Sequence, residues 1–191
     1  MNLPITLTIV RIVLVPLVVV SLISSSRVHV LIAAFIFIIA SLTDWLDGLI
    51  ARRRNQVTTL GALLDPVADK LLVAAALISL VQIDMIAAWI AVVIVGREFA
   101  VTGLRGIAIS VGIVVPASLL GKYKTASQYV AITLLILEKG VPAEYVPFHR
   151  VSLGILWIAM GLTVISGFDY FYRFFRKTDY HALVKEHDRW P

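Results

Sequence analysis

Apolar residues fall into six long blocks, separated by short stretches carrying charge, serine, glycine or proline. The blocks lie near 5–24, 28–50, 60–81, 86–109, 118–138 and 148–171. A helix that crosses a bilayer needs about 20 mostly apolar residues, so the pattern predicts six transmembrane helices. Their connections are short, which predicts a compact up-and-down bundle, all α, forming one domain over 1–191 with a tail over 172–191. The fifth block is the weakest, because its apolar run from Tyr129 to Leu137 is short. Its start is expected to be wet, or to snorkel through Lys122 and Lys124. The first block could pass for a secretory signal. It has no basic leading region, however, and Ser24-Ser25-Ser26 is a poor cleavage site. The expectation is a retained helix capped near Asn2, with Pro4 in its first turn.

Composition strengthens the membrane reading. The chain is 60% hydrophobic and 15% charged, against about 45–50% and 25% in soluble domains; its mean hydropathy is +0.94. There is no cysteine, which excludes disulfides, thiolate catalysis and cysteine-bound metal. No linker, low-complexity tract or internal repeat divides the chain. The net charge of +5 comes with no basic stripe interleaved with aromatics, so nucleic acid is not an expected partner.

Charge is distributed unequally between the two sides. One would hold Arg52, Arg53, Arg54, Lys70, Arg105, Lys122, Lys124 and the tail's Arg173, Arg176, Lys177, Lys185 and Arg189. The other would hold Arg27, Lys139 and Arg150. Basic residues accumulate in cytoplasmic loops, so both termini are expected in the cytoplasm. The expected location is a cell (inner) membrane of bacterial type, crossed several times. Tyr170, Phe171, Tyr172, Phe174 and Phe175 suit an interfacial belt anchoring the tail to the membrane surface. The four histidines, His29, His149, His181 and His187, are expected at the surface.

Chemistry concentrates between Ser41 and Lys70, which contains Asp44, Asp47, Asp65 and Asp69. An ionisable residue at the centre of a membrane helix costs about 2.5–3.5 kcal/mol on insertion scales. Four acids close together would also repel one another and drive some to hold protons. One or two divalent cations relieve both problems. Asp44 and Asp47 are three apart and Asp65 and Asp69 four apart, so each pair shares a helix face. Two adjacent helices joined by a short loop can aim both pairs at one point. Hard carboxylate oxygens without histidine or cysteine nearby favour Mg2+ or Mn2+ over zinc. Gly48, Ala51, Gly61 and Ala62 let helices approach closely and leave room for a flat group against the backbone. Arg52 is placed to pair with a phosphate; Arg53 and Arg54 read as positive-inside residues.

A second group of charges follows. Arg97 and Glu98 are neighbours, expected to point to different sides of their helix and to need separate partners. Arg97 and Arg105 are eight apart, about two turns, and so lie on similar faces. With Lys122 and Lys124 they form either a basic pocket for a phosphorylated molecule, or a set of side chains reaching lipid headgroups and balancing Glu98. The pocket is favoured for Arg105, Lys122 and Lys124; for Arg97 the two readings stand level.

The run Asp44-x-x-Asp47-Gly48-x-x-Ala51-Arg52, eight residues, then Gly61-x-x-x-Asp65-x-x-x-Asp69 resembles the signature of the CDP-alcohol phosphotransferase family, with every defining position filled. Residues 2–11 (NLPITLTIVR), 96–105 (GREFAVTGLR) and 121–128 (GKYKTASQ) resemble the branch of that family whose acceptor is sn-glycerol 3-phosphate. Together they span most of the first 130 residues. The resemblance implies transfer of the phosphatidyl group of CDP-diacylglycerol to glycerol 3-phosphate, with release of CMP. It implies that Asp44, Asp47 and Asp65 hold metal against the pyrophosphate. Asp69 would ligate at the edge of the cluster and accept the acceptor's hydroxyl proton. Gly48, Ala51 and Gly61 would make room for the cytidine, Arg52 would neutralise phosphate, and Thr8 would touch the nucleotide. Arg97, Arg105, Lys122 and Lys124 would receive the acceptor phosphate. A homodimer embedded among membrane lipids is the implied assembly.

Two rival readings exist. Another member of the same family would use inositol phosphate or serine, and a basic pocket disfavours serine, which has no phosphate. A cation transporter would place its acids near the bilayer midplane, with charge on both sides of the pathway. Here the acids cluster at one end, beside arginines.

Overall fold

Among the described residues, six α-helices form at the six apolar blocks. The computed structural model describes the backbone of residues 3–54, 59–110, 112, 119–141 and 149–187, and the side chains of 6, 8–43, 67–110, 112, 119–141 and 149–177. The helices are α1 (Leu3–Ile23), α2 (Arg27–Arg54), α3 (Thr59–Gln82), α4 (Ala88–Ser110), α5 (Leu119–Gly140) and α6 (His149–His187). The described residues contain no strand. By length and composition, His149–Lys177 is the one described stretch able to cross a membrane alone; Thr8–Ile23 and Arg27–Thr43 are shorter apolar helices.

One boundary differs markedly from expectation. The sixth helix does not stop near 171 but continues to His187, 39 residues in all. Polar residues after 171 end its apolar character without ending its backbone hydrogen bonding, because the segment holds no proline or glycine after Gly167 until Pro191. The aromatic residues there do not all form a belt. Tyr170 and Phe174 turn inward, each 7% exposed, against Val101 and Ala108 of α4, while Tyr172 and Phe175 remain exposed.

The helices close into a ring in the order α1, α2, α5, α6, α4, α3, with α3 and α5 also touching across the interior. Helix α1 thus packs against both α2 and α3, which meet each other only slightly among the described residues. Chain direction alternates. Trp89 near the start of α4 meets Trp157 of α6, and Leu31 near the start of α2 meets Gly140 at the end of α5. A Cβ at Gly140 would stand 2.8 Å from Leu31 Cδ2, so glycine permits this close crossing of α2 and α5. Phe37, Leu72, Leu77, Leu80, Ile94, Ile132, Leu135, Ile136 and Leu156 fill the interior without exposure. Serine and threonine within the helices return their hydroxyls to the preceding turn, as Ser41 does to Phe37 O and Thr163 to Ala159 O, which satisfies them in an apolar setting.

The ends of the elements follow local chemistry. Ser26 precedes α2, and its carbonyl accepts from Val30 N at 3.1 Å, as an N-cap carbonyl does. Helix α3 closes with Met85 N donating to Leu80 O and Asp84 N to Val81 O. That is the Schellman pattern, with Asp84 at φ +58° where glycine is usual. Large apolar side chains cover the outside of the ring as well: Val20, Phe35, Val92 and Phe168 are 71%, 65%, 69% and 74% exposed.

Candidate functional site

The acidic quartet sits on two antiparallel helices at matching depth. At about 1.5 Å per residue, Asp44 and Asp47 lie roughly 10–15 Å back from the end of α2. By the same rise, Asp65 and Asp69 lie roughly 9–15 Å in from the start of α3. The backbone is helical at all four. The side chains of Asp44, Asp47 and Asp65 lie outside the described residues, as do those of Gly48, Ala51, Arg52 and Gly61. Among the described residues no three acidic or histidine side chains gather as a metal site would require.

Asp69 is the described member, half-buried on the inner side of α3. Its Oδ1 accepts a hydrogen bond from the hydroxyl of Tyr129 on α5. The Tyr129 ring in turn meets the buried Phe37 of α2 edge to face, with centroids 5.9 Å apart and planes at 65°, a favourable aromatic geometry.

A second polar group lies where α4, α5 and α6 meet. Glu98 Oε1 on α4 accepts from Lys124 Nζ on α5, and from Arg97 Nη1 at 3.2 Å. The neighbours Arg97 and Glu98 therefore share a contact, contrary to the expectation of separate partners, because the long guanidinium stem can curl back around the helix. Arg97 Nη2 also donates to Ser166 Oγ on α6 at 2.9 Å. Its stem lies against Gly167, where a Cβ would stand 3.2 Å from Arg97 Cγ. One turn along α5 from Lys124, Gln128 donates to Thr163 Oγ1 on α6 at 2.8 Å. Lys124 does not snorkel: it is 4% exposed, and its charge is compensated inside the bundle by Glu98, with Asp69 also near enough to act on it.

The structure thus brings Arg97 and Lys124 together on one carboxylate. Arg105 and Lys122 lie outside that network and are exposed. Arg105 holds its guanidinium 5.6 Å from the centre of the Tyr170 ring, a cation–π contact. Thr8 is buried on α1, 2% exposed. His29 and His149 are exposed, as expected, bonded to Ser24 and Glu138; the side chains of His181 and His187 lie outside the described residues.

His29 and His149 stand at the starts of α2 and α6, whereas Asp69, Glu98, Lys124, Arg105 and Lys122 lie toward the opposite end of the ring, the end at which α2 finishes and α3 begins. Carboxylates, hydroxyls and cations from α3, α4, α5 and α6 line its interior. Such a lining suits a substrate that carries phosphate and presents a hydroxyl. The sequence profile of CDP-alcohol phosphatidyltransferases matches residues 1–165. The chain belongs to the CDP-alcohol phosphatidyltransferase family. Among relatives, a Bacillus subtilis (strain 168) protein named CDP-diacylglycerol–glycerol-3-phosphate 3-phosphatidyltransferase is 47% identical over 182 residues, covering 89% of this chain and 93% of its own. Proteins of the same name from Rickettsia bellii (strain RML369-C) and Salmonella choleraesuis (strain SC-B67) are 42% and 37% identical. The first covers 89% of this chain and 93% of its own, the second 88% and 92%.

Sequence reasoning missed Tyr129, Gln128, Thr163 and Ser166 in this member of the CDP-alcohol phosphatidyltransferase family. Each sits in an apolar block as a neutral polar residue, and such residues are common in membrane helices. The available signal was spacing: Lys124 and Gln128 are four apart and share a face of α5, so a polar stripe could have been read there.

Proposed function

We propose that the chain transfers the phosphatidyl group of CDP-diacylglycerol to sn-glycerol 3-phosphate, giving phosphatidylglycerophosphate and CMP. The observation that carries this is the high identity, over nearly their whole length, to relatives named for that reaction. The polar lining supports it chemically. In this reading Asp69 accepts the proton of the acceptor hydroxyl, and its second oxygen is left for that task by the hydrogen bond from Tyr129 to the first. Arg97 and Lys124 supply positive charge beside it, with Arg105 and Lys122 exposed near the end of α4 and the start of α5, to receive the acceptor phosphate. Thr8, Gly48, Ala51, Arg52 and Gly61 form the nucleotide side.

Asp44, Asp47, Asp65 and Asp69 are the proposed metal ligands. Four hard carboxylates at one depth on two helices suit Mg2+ or Mn2+, one ion or two. Such an ion supplies charge neutralisation at the pyrophosphate and at departing CMP.

The proposed setting is the bacterial inner membrane, with six spans, both termini cytoplasmic, the polar end at the cytoplasmic face and a homodimeric assembly. The outward apolar residues on every helix support immersion in lipid, since soluble monomers rarely expose contiguous apolar surface beyond a few hundred Å². The acyl chains of CDP-diacylglycerol then stay in lipid while its headgroup meets a water-soluble acceptor at the interface.

The test is an acceptor screen. Purified protein is given labelled CDP-diacylglycerol, metal, and glycerol 3-phosphate, inositol phosphate or serine in turn. Glycerol 3-phosphate should far exceed the others in releasing CMP; preference for either rival would reject the acceptor assignment. Metal flux in liposomes without CMP release would reject the enzyme reading in favour of transport.

A further inference from the structure

We infer that Tyr129 is a positioning residue, which fixes the Asp69 carboxylate for its work on the acceptor hydroxyl. This rests on the reading of Asp69 as the proton acceptor.

The argument begins with freedom. An aspartate has two rotatable side-chain bonds, and its carboxylate can present either oxygen. Proton transfer requires one oxygen held within hydrogen-bond reach of the reacting hydroxyl. A carboxylate that no neighbouring donor orients does not hold that pose by itself. Among the described residues a donor reaches it from the opposite helix: Tyr129 on α5 donates to Oδ1. That bond occupies one oxygen and turns the plane of the carboxylate, leaving Oδ2 as the accepting atom.

The donor is itself held. A tyrosine has two side-chain torsions, and its ring here is braced against Phe37, which is wholly buried on α2. Helix α5 is fixed in turn by Gln128 on Thr163 of α6 and by Lys124 on Glu98 of α4. The hydroxyl of Tyr129 is therefore aimed by contacts from α2, α4 and α6 onto a group of α3. Packing alone would be served equally well by phenylalanine. The hydroxyl adds nothing to the ring contact with Phe37; its bond is to Asp69.

The measurement compares Tyr129→Phe with the parent enzyme in mixed micelles. A misplaced reacting group loses rate without losing substrate affinity. We expect kcat to fall roughly tenfold, with KM for CDP-diacylglycerol and for glycerol 3-phosphate unchanged and the melting temperature preserved. Phe37→Leu, which keeps the hydroxyl but removes its brace, should lower kcat by less, again with KM unchanged. It carries the test if Tyr129→Phe does not fold. Unaltered kcat in a folded Tyr129→Phe enzyme overturns the inference, as does a change confined to KM. Asp69→Asn separates this from the underlying reading. If Asp69→Asn is inactive while Tyr129→Phe is fully active, the Tyr129 assignment alone fails. If Asp69→Asn turns over normally, the role of Asp69 fails and that of Tyr129 with it.

Discussion

Lys124 of α5 and Glu98 of α4 form an ion pair in which the side chains are only 5% and 13% exposed. Removing one partner of a buried pair costs about 3–5 kcal/mol, whereas replacing both by apolar groups of similar size is often neutral or stabilising. Glu98→Ala should therefore lower the melting temperature of the detergent-solubilised protein sharply. The double variant Glu98→Leu with Lys124→Met should regain only part of that stability, because Arg97 loses the same carboxylate, and it should not regain glycerol 3-phosphate turnover. A double variant as active as the parent would remove Lys124 from the acceptor site.

Asp69→Asn keeps the shape of the side chain and removes its basicity. CDP-diacylglycerol binding, followed by fluorescence or equilibrium dialysis in micelles, should persist. Turnover should fall by about 10²–10⁴-fold, the usual contribution of a positioned base. Activity within a few-fold of the parent would end the role assigned to Asp69.

Chelation should abolish CMP release, and added Mg2+ or Mn2+ should restore it, because the four carboxylates need a counter-charge at the pyrophosphate. Asp44→Asn and Asp65→Asn should each raise the metal concentration needed for half-maximal activity. Full activity in excess chelator would refute metal dependence.

Asp84 closes α3 from the left-handed region, at φ +58°, and its side chain is exposed. Only the backbone should therefore matter there. The left-handed conformation costs a side-chain-bearing residue roughly 1–2 kcal/mol, and less for aspartate. Asp84→Gly should melt slightly above the parent and Asp84→Val clearly below it, with activity per folded molecule unchanged in both. The reverse order would refute the capping account.

The helices were legible because apolar blocks of fixed length leave a backbone few alternatives. The blocks 28–50 and 118–138 correspond to α2 and α5. The end of α6 was not legible, because hydropathy falls at 171 whereas helical hydrogen bonding does not depend on it. Tyr170 and Phe174 read as interfacial, yet they fill the seam with α4; a run of aromatics does not reveal which of its members face a neighbour. At the site, the charged residues were visible as costly exceptions in apolar surroundings. What joins them was not. The pairing of Glu98 with both Arg97 and Lys124 depends on α4 and α5 both packing on α6, and the bond from Tyr129 to Asp69 on the contact of α3 with α5 across the ring. Sequence spacing carries no information about such crossings.

The unbroken course of α6 from His149 to His187 has a mechanical consequence. At about 1.5 Å per residue it is a rod of roughly 58 Å, nearly twice the thickness of a hydrocarbon layer of about 30 Å. Thr163 and Ser166 sit midway along it, where they touch Gln128 and Arg97. In the proposed membrane setting the helix would outrun the lipid, and lateral force on its far end would reach those two hydroxyls as torque, with the Tyr170 and Phe174 seam as its fulcrum.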